Sequence, residues 1–234
     1  MDTPKLIFYT NFKKDLEIFT NFNLRNFFGN ELFNKFLRVY YPELVGKKDK
    51  EILKYFKENK KRLIDETEKA GKKLKKSWAQ SGKDFFKQVE EITGFKWKYK
   101  IYKCHLSFSF ICGGCYDAKR GNIVLVFPRI KHASALNTLF HELVHLHYWE
   151  ILDKLKIKYP QKEKLTAKGK FWDLSEIAVN YPLQKLKIKG YKTEFHIYPQ
   201  HKVLWKKIKK YWKLDFKNFI LKSVEEIKKA PPKN

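Results

Sequence analysis

The segment His141-Glu142-Leu143-Val144-His145 carries the clearest chemistry in the chain. Two histidines four apart on a helix project from one face, so both imidazoles can reach a single metal ion. Neutral imidazole in a tetrahedral site with one open position suits zinc. Glu142 follows His141 by one residue, about 100° of helix. Its carboxylate therefore stands beside the open position, where it can take a proton from a water activated there. Thr138, Leu139, Leu143, Val144 and Leu146 surround the group with uncharged side chains. Two histidines and a glutamate buried on such a helix are costly without a partner, and a metal ion is one. His147 lies about 200° around the helix from His145 and reads as a core-facing imidazole, not a ligand.

The helix that must carry these residues is legible. Leu136, Phe140, Leu143, His147 and Ile151 recur at helical spacing and predict a central helix from about Ser134 to Leu155. Before it the pattern is that of strands. Trp97, Tyr99 and Ile101 alternate with lysines, and Leu106, Phe108 and Phe110 alternate with serines. Gly113-Gly114 is a turn signal, Cys115 to Ala118 a short strand, and Ile123 to Phe127 a buried strand ended by Pro128. The gaps between them are too short for crossover helices, so the sheet is expected to be antiparallel. The first ninety-odd residues read as helical. One helix runs from about 50 to 78 and a shorter one through Phe85, Phe86, Val89 and Ile92, with breaks at Gly71 and Gly82 and a stop at Gly94. After the central helix the spacing predicts a helix from Asp173 to about Tyr181 stopped by Pro182, a last helix over roughly 201–228, and a tail through Pro231-Pro232. The fold class is α+β and mostly helical, with a helical N-terminal region of unassigned role at 1–94 and a second domain at 95–234.

Composition bounds the rest. The chain has 234 residues, 43% of them apolar, which excludes wholesale disorder. Lys+Arg outnumber Asp+Glu by 51 to 25, a formal net charge of +26. Apart from Arg25, Arg38, Arg62, Arg120 and Arg129 the basic residues are all lysine. Readers of nucleic acid lean on arginine for bidentate contacts, so the charge reads first as a solvated surface. No apolar run reaches transmembrane length, and Met1-Asp2-Thr3-Pro4-Lys5 lacks the pattern of a signal peptide. Three cysteines fit a reducing cytosol, so a cytoplasmic location is expected. Cys112 and Cys115, with Cys104 and His105 nearby, invite a second metal site, but one Cys-x-x-Cys unit is too few, and they read as packing residues.

His141-Glu142-x-x-His145 resembles the signature of zincin metalloproteases. The metzincin branch requires Gly and His where this chain has Tyr148 and Ile151, which excludes it. The gluzincin branch, of thermolysin type, takes its third ligand from a glutamate on a later helix. The segment Ser175-Glu176-Ile177-Ala178-Val179-Asn180 resembles that helix. The resemblance spans about 95–185 and is nearest to the compact minigluzincins. It implies a zincin-like fold in which the sheet is followed by the metal helix and then a glutamate helix. It also implies one zinc ion held by His141, His145 and Glu176, with Glu142 as general base and peptide or protein as substrate. Asn180 would accept the far N–H of His141. Asp173 would sit at the helix start, as or near the cap. Substrate would add as a strand to the sheet edge, along 122–127 or its short neighbour near Cys115. An oxyanion donor would come from His196, Tyr198, His201 or Tyr181, among which the sequence does not choose.

Two rivals stand beside this reading. Spartan-like proteases share the signature and bind DNA, but they take a third histidine where this chain has Lys168-Gly169-Lys170-Phe171-Trp172. A zincin-fold binding or regulatory module would cleave little, and an intact Glu142 weighs against it. If the lysines chiefly solvate the surface, DNA binding is weak at physiological salt and indifferent to sequence. Anisotropy titrations across salt check this, and tight binding that survives about 0.2 M salt would favour the DNA-linked rival.

Overall fold

A computed structural model describes residues 3–229 except 23, 112, 131–133, 167, 190, 192–194 and 196, and of residues 21, 22, 24–28 and 166 it describes the backbone alone. The expected tail at 231–234 lies outside the described residues.

The chain is mostly helical around one four-stranded sheet. The strands are β1 (Lys5–Tyr9), β2 (Ile101–Leu106), β3 (Gly114–Tyr116) and β4 (Ile123–Val126), in the spatial order β1-β2-β4-β3. The sheet is mixed, which corrects the antiparallel expectation: β1 with β2 and β2 with β4 are parallel, and only β3 with β4 is antiparallel. Consecutive strands are not all neighbours. The chain leaves β2, passes to the far edge as β3, and returns by a hairpin to lay β4 between them. Asp117 builds that hairpin turn: its Oδ1 accepts Lys119 N and Arg120 N, each at 3.1 Å. β1 falls in a stretch expected to be helical. Its parallel crossover to β2 runs through α1 (Phe12–Phe22), α2 (Leu24–Tyr40), α3 (Asp49–Glu58) and α4 (Lys60–Thr93). Residues on both sides of position 94 thus share one sheet, and Leu74, Phe85 and Phe86 share one core with Tyr102, Val124 and Phe140.

The alternation Leu106 to Phe110 is not a second strand. β2 is Ile101–Leu106, and the strand expected at Trp97 begins only at Ile101. Beyond it, phenylalanines and serines are all buried, because the serines turn inward to Asp15 of α1. That carboxylate, 1% exposed, accepts Ser107 Oγ and Ser109 Oγ (3.1 Å for the latter) and faces His105 Nε2 at 3.2 Å. α1 is held to the sheet by this polar hub.

α4 runs unbroken through Gly71 and Gly82. Neither glycine breaks the helix; each lets a neighbour come close. A Cβ on Gly71 would stand 2.5 Å from Leu106 Cδ1, and one on Gly82 2.3 Å from the Trp78 ring. Gly94 ends the helix as expected, at φ 77°.

α5 (Ala135–Lys154) packs beside α4, with Phe140 stacked on Phe85 at 4.1 Å. His147 is buried against the Trp97 ring, its Nε2 3.1 Å from Thr93 Oγ1. Glu150, on the same flank, accepts Tyr102 OH at 2.7 Å and Lys98 N at 3.1 Å.

After α6 (Gln161–Thr166), α7 spans Lys170–Ala178 and α8 Asn180–Lys185. Pro182 does not stop a helix; it sits in the first turn of α8, where its missing N–H is not needed. Glu163 reaches over Gly169 to accept Phe171 N at 2.7 Å and so caps α7. A Cβ on Gly169 would lie 2.3 Å from the Glu163 carboxyl carbon. The expected last helix is two, α9 (Lys202–Ile208) and α10 (Phe216–Lys229). Asp215 interrupts them, its Oδ1 accepting Asn218 N at 3.0 Å as a helix cap. No helix among the described residues is long and apolar enough to cross a membrane.

Asp15→Ala takes the carboxylate acceptor from Ser107 and His105, while Ser109 keeps the Asp15 carbonyl, so it should cost about 3 kcal/mol, and Glu163→Ala about 1 kcal/mol. Urea unfolding midpoints of the two variants check that order.

Candidate metal centre

α5 places His141 and His145 one turn apart, and α7 packs across it to bring Glu176 to the same point. The three side chains form the cluster able to hold a metal ion among the described residues. His141 Nε2 and His145 Nε2 are 2.9 Å apart. Glu176 Oε1 lies 3.2 Å from His145 Nε2, and its Oε2 3.8 Å from His141 Nε2. A tetrahedral ion with bonds of about 2.0–2.1 Å holds its ligand atoms about 3.3 Å apart, and the observed separations straddle that value. Two imidazoles and one carboxylate, one imidazole fully buried and the other partly open, are a donor set that fits zinc.

Burial acts on each group and the neighbours then decide. It raises the Glu176 carboxyl, but His145 and His141 outweigh it and hold the group down at about 2. It lowers His145, yet Glu176 carries the net shift upward. Glu142 has less help: burial dominates, His145 opposes it, Glu176 adds to it, and the carboxyl is pushed up to about 8.

The other expected residues separate on position. Asn180 begins α8, and its Nδ2 donates to Glu176 O at 3.0 Å. Asp173 is not the cap of α7, which is Gly169; it lies in the first turn with a carboxylate oxygen 3.3 Å from His201 Nδ1. Tyr181 is withdrawn from the oxyanion candidates by its place in the fold: its hydroxyl donates to Leu214 O and its ring stacks on Phe219. Tyr198 stays near the site. Its phenol is pushed up to about 12 by burial, with Glu176 and Glu142 adding to the rise. His201 is buried beside Trp172 and contributes to the field at Glu176. His196 lies outside the described residues. Of the second cluster, Cys104 is buried in the core, His105 turns to Asp15, Cys115 is a half-buried residue of β3, and Cys112 lies outside the described residues.

Sequence reasoning missed two residues here. Gly114, read as part of a turn, is the first residue of β3 and lies against Glu142. Tyr116 sits 5.4 Å from the His145 ring and accepts Trp149 Nε1–H at 2.9 Å. The short strand expected from Cys115 to Ala118 is β3, Gly114–Tyr116, but alternation over so few residues does not say which face meets the metal helix.

Competition with a chromogenic chelator should show one zinc bound per chain, lost in His141→Ala/His145→Ala. Glu176→Ala should weaken binding by more than about 100-fold, beyond what an outer partner is worth, while Asp173→Ala keeps it. The reverse order would remove Glu176 from the site.

Compared with known proteins, the chain matches no family model, no curated protein and no solved structure.

Proposed function

We propose that this chain is a zinc-dependent metallopeptidase of gluzincin type, with a zincin-like fold and a peptide or protein substrate. The observation that carries the reading is the convergence of His141, His145 and Glu176 within 4.8 Å, with Glu142 buried beside them on the same helix. When bound, zinc would supply Lewis acidity, activating water and polarising a carbonyl. Glu142 accepts the proton of the attacking water and returns it to the leaving amine. Its side chain lies against β3, where a Cβ on Gly114 would stand 3.0 Å from its Cγ. β4 is internal to the sheet and β3 is its edge, so of the two expected docking strands only β3 has a side open to an incoming substrate strand. Among the described residues, Tyr198 and His201, the latter steadied by Asp173, are the remaining candidates to donate to the developing oxyanion, and His196 stays a candidate outside them. The buried thiol of Cys104 suits a reducing, cytoplasmic setting.

Zinc-loaded protein should degrade an unstructured substrate and stop when a chelator is added. Glu142→Gln should keep its zinc and lose turnover by about 10²–10⁴-fold. Undiminished turnover would show that Glu142 is not the base, and an inert, fully loaded wild type would favour a binding module.

A further inference from the structure

Gly114 and Tyr116 occupy alternate positions of β3 and so project to one face of the strand. That face meets α5 along a single stripe: Thr138, Glu142, His145 and Trp149. A Cβ on Gly114 would stand 2.6 Å from Thr138 Cγ2, 2.9 Å from Leu125 O and 3.0 Å from Glu142 Cγ. Positive φ does not explain this glycine; the residue with φ 127° is its neighbour Gly113. Gly114 is there for space. One step along, the Tyr116 ring leans on the His145 ring at 5.4 Å and 33°, and the indole N–H of Trp149 anchors its hydroxyl at 2.9 Å. His145 needs that support. Metal-binding histidines are commonly oriented by a hydrogen bond from the second ring nitrogen, and His145 Nδ1 is buried with no hydrogen-bond partner among the described residues.

We propose that β3 is the positioning strand of the site: Gly114, by lacking a side chain, lets the strand seat Glu142, and Tyr116, braced by Trp149, holds the imidazole of His145 in place of a hydrogen bond. The Tyr116 half concerns metal affinity alone, while the Gly114 half rests on the peptidase reading.

The experiment measures zinc affinity by chelator competition, the melting temperature of the metal-free chain, and kcat and KM on an unstructured protein. Tyr116→Leu should weaken zinc binding about 10–100-fold, and Tyr116→Phe, which keeps the ring, should recover most of it. Gly114→Ala should leave zinc affinity near that of the wild type and lower kcat about 100-fold with little change in KM, as expected for a base displaced by about 1 Å. Adding Thr138→Ser removes the nearest clashing methyl and should restore part of kcat. Wild-type zinc affinity in Tyr116→Leu, or wild-type kcat in Gly114→Ala, overturns the corresponding half. A fall in kcat that matches only the fraction of unfolded chain overturns the positioning role of Gly114, and so does a folded double variant with no recovery. A zinc-loaded wild type that cleaves nothing defeats the peptidase reading and the Gly114 half with it, while the Tyr116 variants still decide theirs.

Discussion

Helix α5 is buried from Leu139 to Leu152, His141 alone being partly open, and that stretch carries three histidines and two glutamates: His141, Glu142, His145, His147 and Glu150. Buried polar groups are tolerated only with partners, so the surroundings of α5 are constrained on every flank. On one side, the end of α4, the loop into β2 and β2 itself answer His147 and Glu150 through Thr93, Lys98 and Tyr102. On the other, α7 brings Glu176 to the two remaining histidines. Against the third, β3 lies so close that Gly114 has no room for a side chain. The elements around the helix are where they are because this one segment is both core and site.

Those elements are themselves held by polar devices at their ends. Asp15 ties α1 to the end of β2 through two serines and a histidine. Glu163 closes the start of α7 and so fixes the helix that carries Glu176. Asp215 starts α10, which packs on α7 from behind. Each replaces water at an otherwise unpaired backbone or hydroxyl group; Asp15 does so across segments distant in sequence, Glu163 between two helices, and Asp215 within the first turn of its own helix.

The lysine-rich exterior contributes differently. Lys54–Glu58 and Lys87–Glu91 are exposed pairs one helical turn apart, Lys47–Glu51 joins the loop before α3 to its first turn, and such exposed pairs add little. Stability comes from the aromatic interior. Phe19, Phe33, Phe56 and Phe108 fill one cluster, Phe85, Phe86, Trp97 and Phe140 a second, and Tyr181, Phe216 and Phe219 a third. Charge outside and rings inside are compatible because lysine heads stay in water while the helices turn their apolar stripes inward.

Local spacing was enough to place α5 within one residue at each end, to stop α4 at Gly94, to put two histidines on one face, and to mark β4 as a buried strand. Each of these depends on a single element's own period. Spacing also offered Glu176, but only through a likeness; that it meets His141 and His145 is a fact of how α7 crosses α5. Sheet order, parallel pairing and the existence of β1 were not legible, because they depend on which strands meet after a long crossover. The serines of 107 and 109 look like the polar side of a strand until Asp15, far away in the chain, gives them a buried acceptor. Gly71 and Gly114 look like a break and a turn, yet each is a close approach to a residue that only packing supplies. A sequence states what each segment can bury; tertiary structure alone decides against what.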